Sequence, residues 1–442
     1  MPAPRPPLPG PRTADVCIVG AGLTGLWTAY ELRRADPSAD VVVLEAEVAG
    51  FGASGRNGGW VSGELAGSRA RWAARSSRDA VQALDRAIRE AVDEVGAVVA
   101  REGIECAFHK GGSLHVAQTP LQLERLRAVV ADDRAWGLSE HDSRLLDARE
   151  AAARVAVAGV AGAHFTPHCA RVQPAALVRG LAAAAERAGA VVHEATRVTS
   201  IEPGVVRTEH GDVRAPLVVR ATEGYTADLP GARREVLPLG SSMLVTEPLD
   251  EATWARLGWA GAETLLDGQS LYAYLQRTAD GRIAIGGRGV PYRWGSATER
   301  EGVVPAATVD ALRRRLGRLF AGLGDVAVAD AWHGILGVPR DWSPRVWLDP
   351  ATGIASAGGY VGEGVAAANL AGRTLRDLLL GRRTELTALP WVEPPGRAWE
   401  PEPLRFAGVR GVHALMAAAD RREARTGRAS ALGRLAARVA GR

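Results

Sequence analysis

At 442 residues the chain exceeds the length over which a single hydrophobic core keeps growing, and with 47% hydrophobic and 24% charged residues it reads as a globular protein of two domains. Its three cysteines, Cys17, Cys106 and Cys169, are widely separated, which argues against a disulfide framework or a zinc site and for a reducing, cytoplasmic setting. The net charge of +4 does not imply a nucleic-acid partner: nine arginines against three acidic residues beyond Glu400 leave the preceding body slightly acidic, and basic and aromatic residues do not interleave.

The first residues, MPAPRPPLPGPR, are proline-rich and basic, lack the apolar stretch of a signal peptide and read as a short disordered arm. No apolar run approaches the roughly 18 residues of a membrane span. From Ala14 the pattern becomes strand, glycine turn, helix and strand in ADVCIVGAGLTGLWTAYELRRADPSADVVVLEAE, with Leu23, Leu26, Trp27 and Tyr30 at the spacing of one buried helical face. Gly20, Gly22 and Gly25 form G-x-G-x-x-G at the mouth of that helix, and Glu45 ends the second strand twenty positions after Gly25. Glycines allow the tight turn and close backbone approach, the helix N-terminus receives a pyrophosphate, and the acid binds ribose hydroxyls, so a dinucleotide is expected.

The acid is followed at once by GFGASGRNGGW, Gly50 to Trp60, in which five glycines surround Ser54, Arg56 and Asn57. Each glycine costs roughly 0.5–1 kcal/mol against alanine where ordinary backbone would serve, so the run implies close approach to something. A nicotinamide dehydrogenase usually continues here into another βα unit. A glycine-lined loop with three donors can instead lie along a pyrophosphate and a flat tricyclic ring, which points to FAD. An NAD-dependent dehydrogenase shares the fingerprint and remains an alternative, as does an RNA-modifying or non-catalytic flavoprotein.

Amphipathic helices are predicted from Ser76 to Glu102 and from Thr119 to Trp136, both outside the nucleotide-binding domain. HFTPHC, His164 to Cys169, is too short a cluster for a metal site, and no metal is expected. A helix and short strands then lead to VVRATEGY, a return to the first sheet. Strand patterns dominate from Glu235 to Val290, where SLYAYLQ puts Tyr272, Tyr274 and Gln276 on one face of a separate antiparallel sheet. TGIASAGGYVGEGVAAANLAGRTLRDLLLG is strand, glycine loop and helix, with Ala367, Leu370, Ala371 and Leu378 along one face. The tail from Pro401 reads as a solvated or packed surface helix without assigned function. The fold class is therefore α/β: a Rossmann-like FAD-binding domain of the glutathione-reductase type from 12–75, 160–232 and 335–390, a second α+β substrate domain on an antiparallel sheet from 76–159 and 233–334, and a helical tail over 391–442.

Four pieces in this order, VGAGLTGL, LEAEVAGFGASGRNGG, VVRATEGYT and GGYVGEGVAAANLAGRTLRDLL, resemble the FAD-dependent amine and amino-acid oxidases of the D-amino-acid oxidase and sarcosine oxidase superfamily, γ-glutamylputrescine oxidase-type members above all. The likeness runs from about Ala14 to Pro390. It implies FAD held by Gly20, Gly22, Leu23, Thr24 and Gly25, by Glu45 and Ala46, and by Gly52, Ala53, Ser54, Arg56, Asn57, Gly58 and Gly59. Val198 would meet the adenine through its backbone, Ala221 and Thr222 follow the returning strand, and Gly359, Tyr360, Gly362, Glu363, Gly364 and Val365 would close over the isoalloxazine. The sarcosine oxidase branch tethers its flavin through a cysteine where this chain has His333, and another branch uses a histidine where it has Arg56, so non-covalent FAD is expected.

The resemblance further implies oxidation of a C–H bond beside an amine nitrogen, with hydride passing to the flavin and the imine hydrolysing to an aldehyde or keto acid. Trp60, Tyr274, Tyr360, Arg288 and His333 are the candidates for the catalytic face, with Tyr272 beside them. His333 would take a proton or hold a hydrogen bond, and Arg288 would pair with a carboxylate or phosphonate; each is equally at home as structure. The lysines that sarcosine oxidase relatives use have no counterpart, and Ala366 occupies the carboxylate-binding place. That favours an amine or longer amino compound over a simple α-amino acid and leaves oxygen or another electron acceptor open.

Overall fold

The computed structural model describes residues 4–290, 292–298 and 300–440, without the side chains of 288–290 and 437–440. Its first sheet has six strands in the order Arg345–Asp349, Ile354–Gly358, Leu217–Arg220, Val16–Val19, Val41–Leu44, Val191–His193. All neighbours are parallel except the outermost pair at Arg345–Asp349. Strands buried on both faces must be apolar throughout, which is what VCIV and VVVL are. The helix Leu23–Ala35 connects Val16–Val19 to Val41–Leu44, burying Leu23, Leu26, Trp27 and Tyr30 as its periodicity requires. It packs against the helix Gly364–Leu379, where a Cβ on Gly372 would lie 2.6 Å from that of Trp27. The ion pair Glu31–Arg376, at 2.9 Å, joins the same two helices.

A second sheet has eight strands in the order Val328–Val338, Leu237–Thr246, Ile283–Val290, Ala273–Arg277, Thr264–Asp267, Ser113–Ala117, Gly162–Thr166, Arg144–Asp147. It is antiparallel apart from the pairing of Thr264–Asp267 with Ser113–Ala117. A four-stranded sheet, Arg12–Thr13, Gly211–Arg214, Val205–Thr208 and Val198–Glu202, covers the far side of the first.

Three placements differ from the sequence reading. The helix Arg78–Glu102, expected outside the nucleotide-binding part, buries Val81, Leu84, Ile88, Val92 and Val95 in the same core as Ile18, Val43 and Val219. Its long apolar stripe is the outer layer that the six-stranded sheet needs. Gly162–Thr166 belongs to the eight-stranded sheet, paired with Ser113–Ala117, although it falls within the stretch assigned to the first. Val328–Val338 runs through the expected boundary at 334/335, because its whole length pairs with Leu237–Thr246. The tail forms two helices, Leu404–Thr426 and Ala431–Ala440. No helix among the described residues is long and apolar enough to cross a membrane.

Candidate active site

A cavity of about 800 Å³ opens at the carboxyl ends of the parallel strands, where Gly20, Glu45 and Ala221 follow Val19, Leu44 and Arg220. Three glycine segments distant in sequence meet there. The first contributes Gly20, Gly22, Leu23 and Thr24, the second Gly52, Ala53, Ser54, Arg56, Asn57 and Gly58, and the last Tyr360, Gly362, Glu363, Gly364 and Val365. Ala46, Val198 and Thr222 also line it.

Local backbone chemistry explains the arrangement. Gly22 caps the helix Leu23–Ala35 in extended conformation with no side-chain cap bond, so the cap itself takes none of the opening amides, and of these Leu23 N goes to Ser54. Gly20 sits at φ +106, and a Cβ there would come 2.6 Å from the Ala221 carbonyl oxygen, so only glycine lets the two strand ends approach. Within the second segment Ala53–Arg56 makes one helical turn rather than an open loop. There the Ser54 hydroxyl accepts the Leu23 amide at 2.8 Å, a bond that leaves its own proton unused. Asn57 is spent on the turn itself, its Oδ1 accepting the Gly59 amide at 2.7 Å. Arg56 stacks on Phe51, 4.4 Å from the ring centre.

Glu45 accepts the amides of Ala21 at 2.8 Å and Glu47 at 3.0 Å, and burial raises its pKa. A carboxylate so placed gains from further donors such as paired ribose hydroxyls. Glu223, which the sequence reading passed over, also lies in the wall. It accepts Gly337 N at 2.8 Å and Tyr360 N at 3.3 Å, tying the returning strand to the last glycine loop, and burial lifts it to about 7. Val361 in that loop holds φ +59, a strained value for a β-branched residue, beside the cavity it lines. A dinucleotide fits these donors, this acid and these cradles closed to any Cβ.

Some expected residues have other work. Gly25, Gly59 and Gly359 are not in the cavity wall: a Cβ on each would lie 2.0 Å from Gly20 O, 2.0 Å from Gln276 Nε2 and 2.4 Å from Pro339 Cγ, so they serve close packing. His333 is buried with Nδ1 3.2 Å from the Val303 carbonyl oxygen and outside the cavity wall, while Gly334, Ile335 and Leu336 on the same strand line it. Arg288 lies on the strand Ile283–Val290, but its side chain falls outside the described residues. Trp60, Tyr272, Tyr274 and Tyr360 do line the cavity. Tyr274 shares a 2.7 Å hydrogen bond with Ser241 and stands edge-on to Trp60, with ring centres 6.3 Å apart. The Tyr360 hydroxyl meets Thr24 Oγ1 at 2.9 Å, and the Trp60 Nε1 is enclosed without a hydrogen-bond partner.

In the same wall Glu363, expected beside the flavin, joins Glu64 and His115, which the sequence reading did not single out. Glu363, at the start of the helix Gly364–Leu379, faces Glu64 and His115 and hydrogen-bonds Ser62, whose hydroxyl also accepts the Glu64 amide at 3.2 Å. Glu64 pairs with His115 at 3.0 Å; its side chain is 44% accessible, and that surface opens into the cavity. Burial opposes both charges, yet the pair outweighs it, holding Glu64 down at about 2 and raising His115. Glu363 is left with burial and the like charge of Glu64, which together lift it to about 7. Behind His115 the ring of His164 stands edge-on, centres 5.3 Å apart, and burial with the His115 charge lowers it to about 4. Ser143 gives its proton to Asp133 at 2.6 Å and therefore accepts from His164 Nε2 at 2.9 Å, and Arg69 binds Asp133 at 2.7 Å. Behind the wall, His164, Ser143, Asp133 and Arg69 thus form a polar group that reaches Asp132 at the surface, while His164 Nδ1 is left without a hydrogen-bond partner and touches His115 only through the ring.

The sequence model of the family described as DAO, FAD dependent oxidoreductase, matches residues 15–378. The chain belongs to that family. As a DAO-family flavoenzyme it uses FAD, which excludes the nicotinamide alternative for the groove. It is 32% identical over 393 residues to gamma-glutamylputrescine oxidoreductase of Escherichia coli (strain K12), covering 87% of this chain and 88% of that one. It is 30% identical over 405 residues to the probable oxidoreductase OrdL of Rhizobium meliloti (strain 1021), covering 88% of each. Among solved structures, glycine oxidase from Geobacillus kaustophilus superposes with a TM-score of 0.74 at 22% identity, covering 87% of this chain and 99% of that one, a likeness of fold. The family match ends before the tail helices.

Proposed function

We propose that this DAO-family enzyme oxidises the C–N bond of a cationic amine or amino compound, with Glu363 receiving the proton of the substrate ammonium. The observation that carries this reading is the carboxylate cluster of Glu363 and Glu64 in the same wall as the three glycine segments. Gly20 to Thr24, Glu45, Ser54 and Val198 would hold the dinucleotide, and Tyr360 to Val365 its flavin end. When bound there, FAD would supply the two-electron acceptor for the hydride of the carbon beside the nitrogen, and water would hydrolyse the resulting iminium to an aldehyde or keto acid with release of ammonia or an amine.

The protein's own part is binding, orientation and proton transfer. Glu64, kept ionised by His115, attracts the ammonium without taking its proton, whereas Glu363 titrates where a base is useful. A free alkylammonium gives up its proton near pH 10, as lysine does, and an apolar chamber brings that value down by up to several units. Tyr274 and Trp60, braced against each other, orient the carbon skeleton and exclude water. With His333 outside the wall and Arg56 stacked on Phe51, FAD is held without a covalent bond. Three buried, unpaired thiols are compatible with the cytoplasm, where we place the enzyme.

Purified protein mixed anaerobically with a panel of amines and amino acids tests this reading. Bleaching of the bound flavin by amines is the expected result, and acid precipitation should release all flavin to the supernatant. Bleaching by simple α-amino acids alone would refute the substrate class, and flavin retained on the precipitate would refute the non-covalent site.

A further inference from the structure

The cavity does not end with the family's shared part. Leu404, Gly408, Val412 and Met416, spaced one helical turn apart, line it together with Arg405, Val409 and His413, so one face of the helix Leu404–Thr426 forms its outer wall. From Leu404 to Met416 that face is about 18 Å long. The helix is fixed at both ends. Asp420 accepts the amides of Ser270 and Leu271, both at 3.0 Å, and Glu402 accepts the Tyr292 hydroxyl at 2.5 Å and the Gly295 amide at 3.0 Å.

The same cavity is lined by Leu239, Leu266 and Leu271, with Trp342 and Val361. The one guanidinium this helix brings to the cavity, Arg405, is 3% exposed, sits 3.1 Å from Glu402 and stacks on Tyr292, so its charge is already compensated. Apart from His413, a wall of leucine, valine, methionine and glycine offers little to a carboxylate and rewards burial of hydrocarbon.

Resting on the proposed amine oxidation, we infer that the C-terminal helix is the specificity wall of the substrate chamber and selects amines that carry an extended apolar arm, aryl or long alkyl. The amino group lies toward Glu363 and Glu64, and the arm runs along Val409, Val412 and Met416. Gly408 provides the width for it.

The test uses the full-length holoenzyme with methylamine, butylamine, octylamine, 4-phenylbutylamine and the polar-armed putrescine. Two readouts are taken: perturbation of the flavin spectrum on binding, and its anaerobic bleaching. Binding and kcat/KM should rise along the alkyl series and be highest for the aryl and octyl amines. The octylamine-to-butylamine ratio should fall about tenfold or more in Val412→Trp, which narrows the chamber, and in Met416→Ala, which removes its contacts. A ratio unchanged in both variants, or preference for putrescine over octylamine, overturns the assignment even if amines bleach the flavin. Octylamine that perturbs the spectrum in the wild type but not in Val412→Trp, and never bleaches it, supports the chamber while refuting amine oxidation. Amines that neither perturb nor bleach the flavin refute both.

Discussion

Replacing Glu363 by glutamine keeps the shape of the side chain and removes its ability to take a proton. Raising this acid from its ordinary 4.5 to about 7 corresponds to on the order of 3 kcal/mol against the ionised form, imposed by burial and by Glu64, with Ser62 and His115 acting in the opposite sense. An acid titrating at about 7 is roughly one-tenth ionised at pH 6 and nine-tenths at pH 8. The second-order rate of flavin bleaching at amine concentrations well below saturation, followed anaerobically by stopped flow, should therefore climb about tenfold across that interval in the wild type. Because the base form is the active one, the rate falls toward acid and levels off toward alkali. Glu363→Gln should flatten the rise and lower the rate by about 10²–10⁴-fold, while the flavin spectrum and content stay unchanged. A variant with the wild-type rate and the same pH profile would refute the assignment of the proton to this carboxylate.

Gly22→Val should purify with little or no flavin, because its Cβ alone would lie 2.9 Å from Ser54 Oγ and its methyls would enter the cradle; the 450-to-280 nm absorbance ratio measures the loss. His115→Leu should lower the melting temperature most at about pH 5–6. Glu64 is depressed, so its share of stability exists above 4.5 and fades as pH falls toward about 2, whereas His115 is raised, so its share exists below 6.5 and fades as pH rises past its elevated value. A melting deficit independent of pH would refute that pairing. Asp420→Ala deletes two charge-assisted bonds that hold the tail helix, costing about 2 kcal/mol locally, and trypsin should then cut after Arg421 and Arg422 about thirtyfold faster.

The dinucleotide fingerprint was legible because everything in it is local. One turn, one helix and one strand carry Gly20 to Glu45, and the glycine loop follows without interruption. The returning strand before Ala221 and the last glycine loop were legible through resemblance, and both reach the cavity. Glu64 and His115 were not, since one follows the short strand Trp60–Ser62 and the other lies on Ser113–Ala117, and no spacing in the chain announces that they will meet. His333 drew attention because it stands where sarcosine oxidase relatives carry a flavin-linked cysteine, while here its ring Nδ1 lies 3.2 Å from the Val303 carbonyl oxygen, outside the cavity wall. Gly25, Gly59 and Gly359 show that one glycine pattern mixes positions in the cavity wall with plain packing. In the tail, arginine-rich composition concealed the valine, glycine and methionine face that closes the chamber.

Leu217–Arg220, which lies beside Val16–Val19 in the middle of the six-stranded sheet, acquires its second parallel neighbour only with Ile354–Gly358. A ribosome has therefore completed four-fifths of the polypeptide before the groove for the coenzyme can exist. Saturation with flavin is decided after synthesis, among finished molecules, and starving an expression host of riboflavin should yield full-length apoprotein that regains colour when FAD is supplied later.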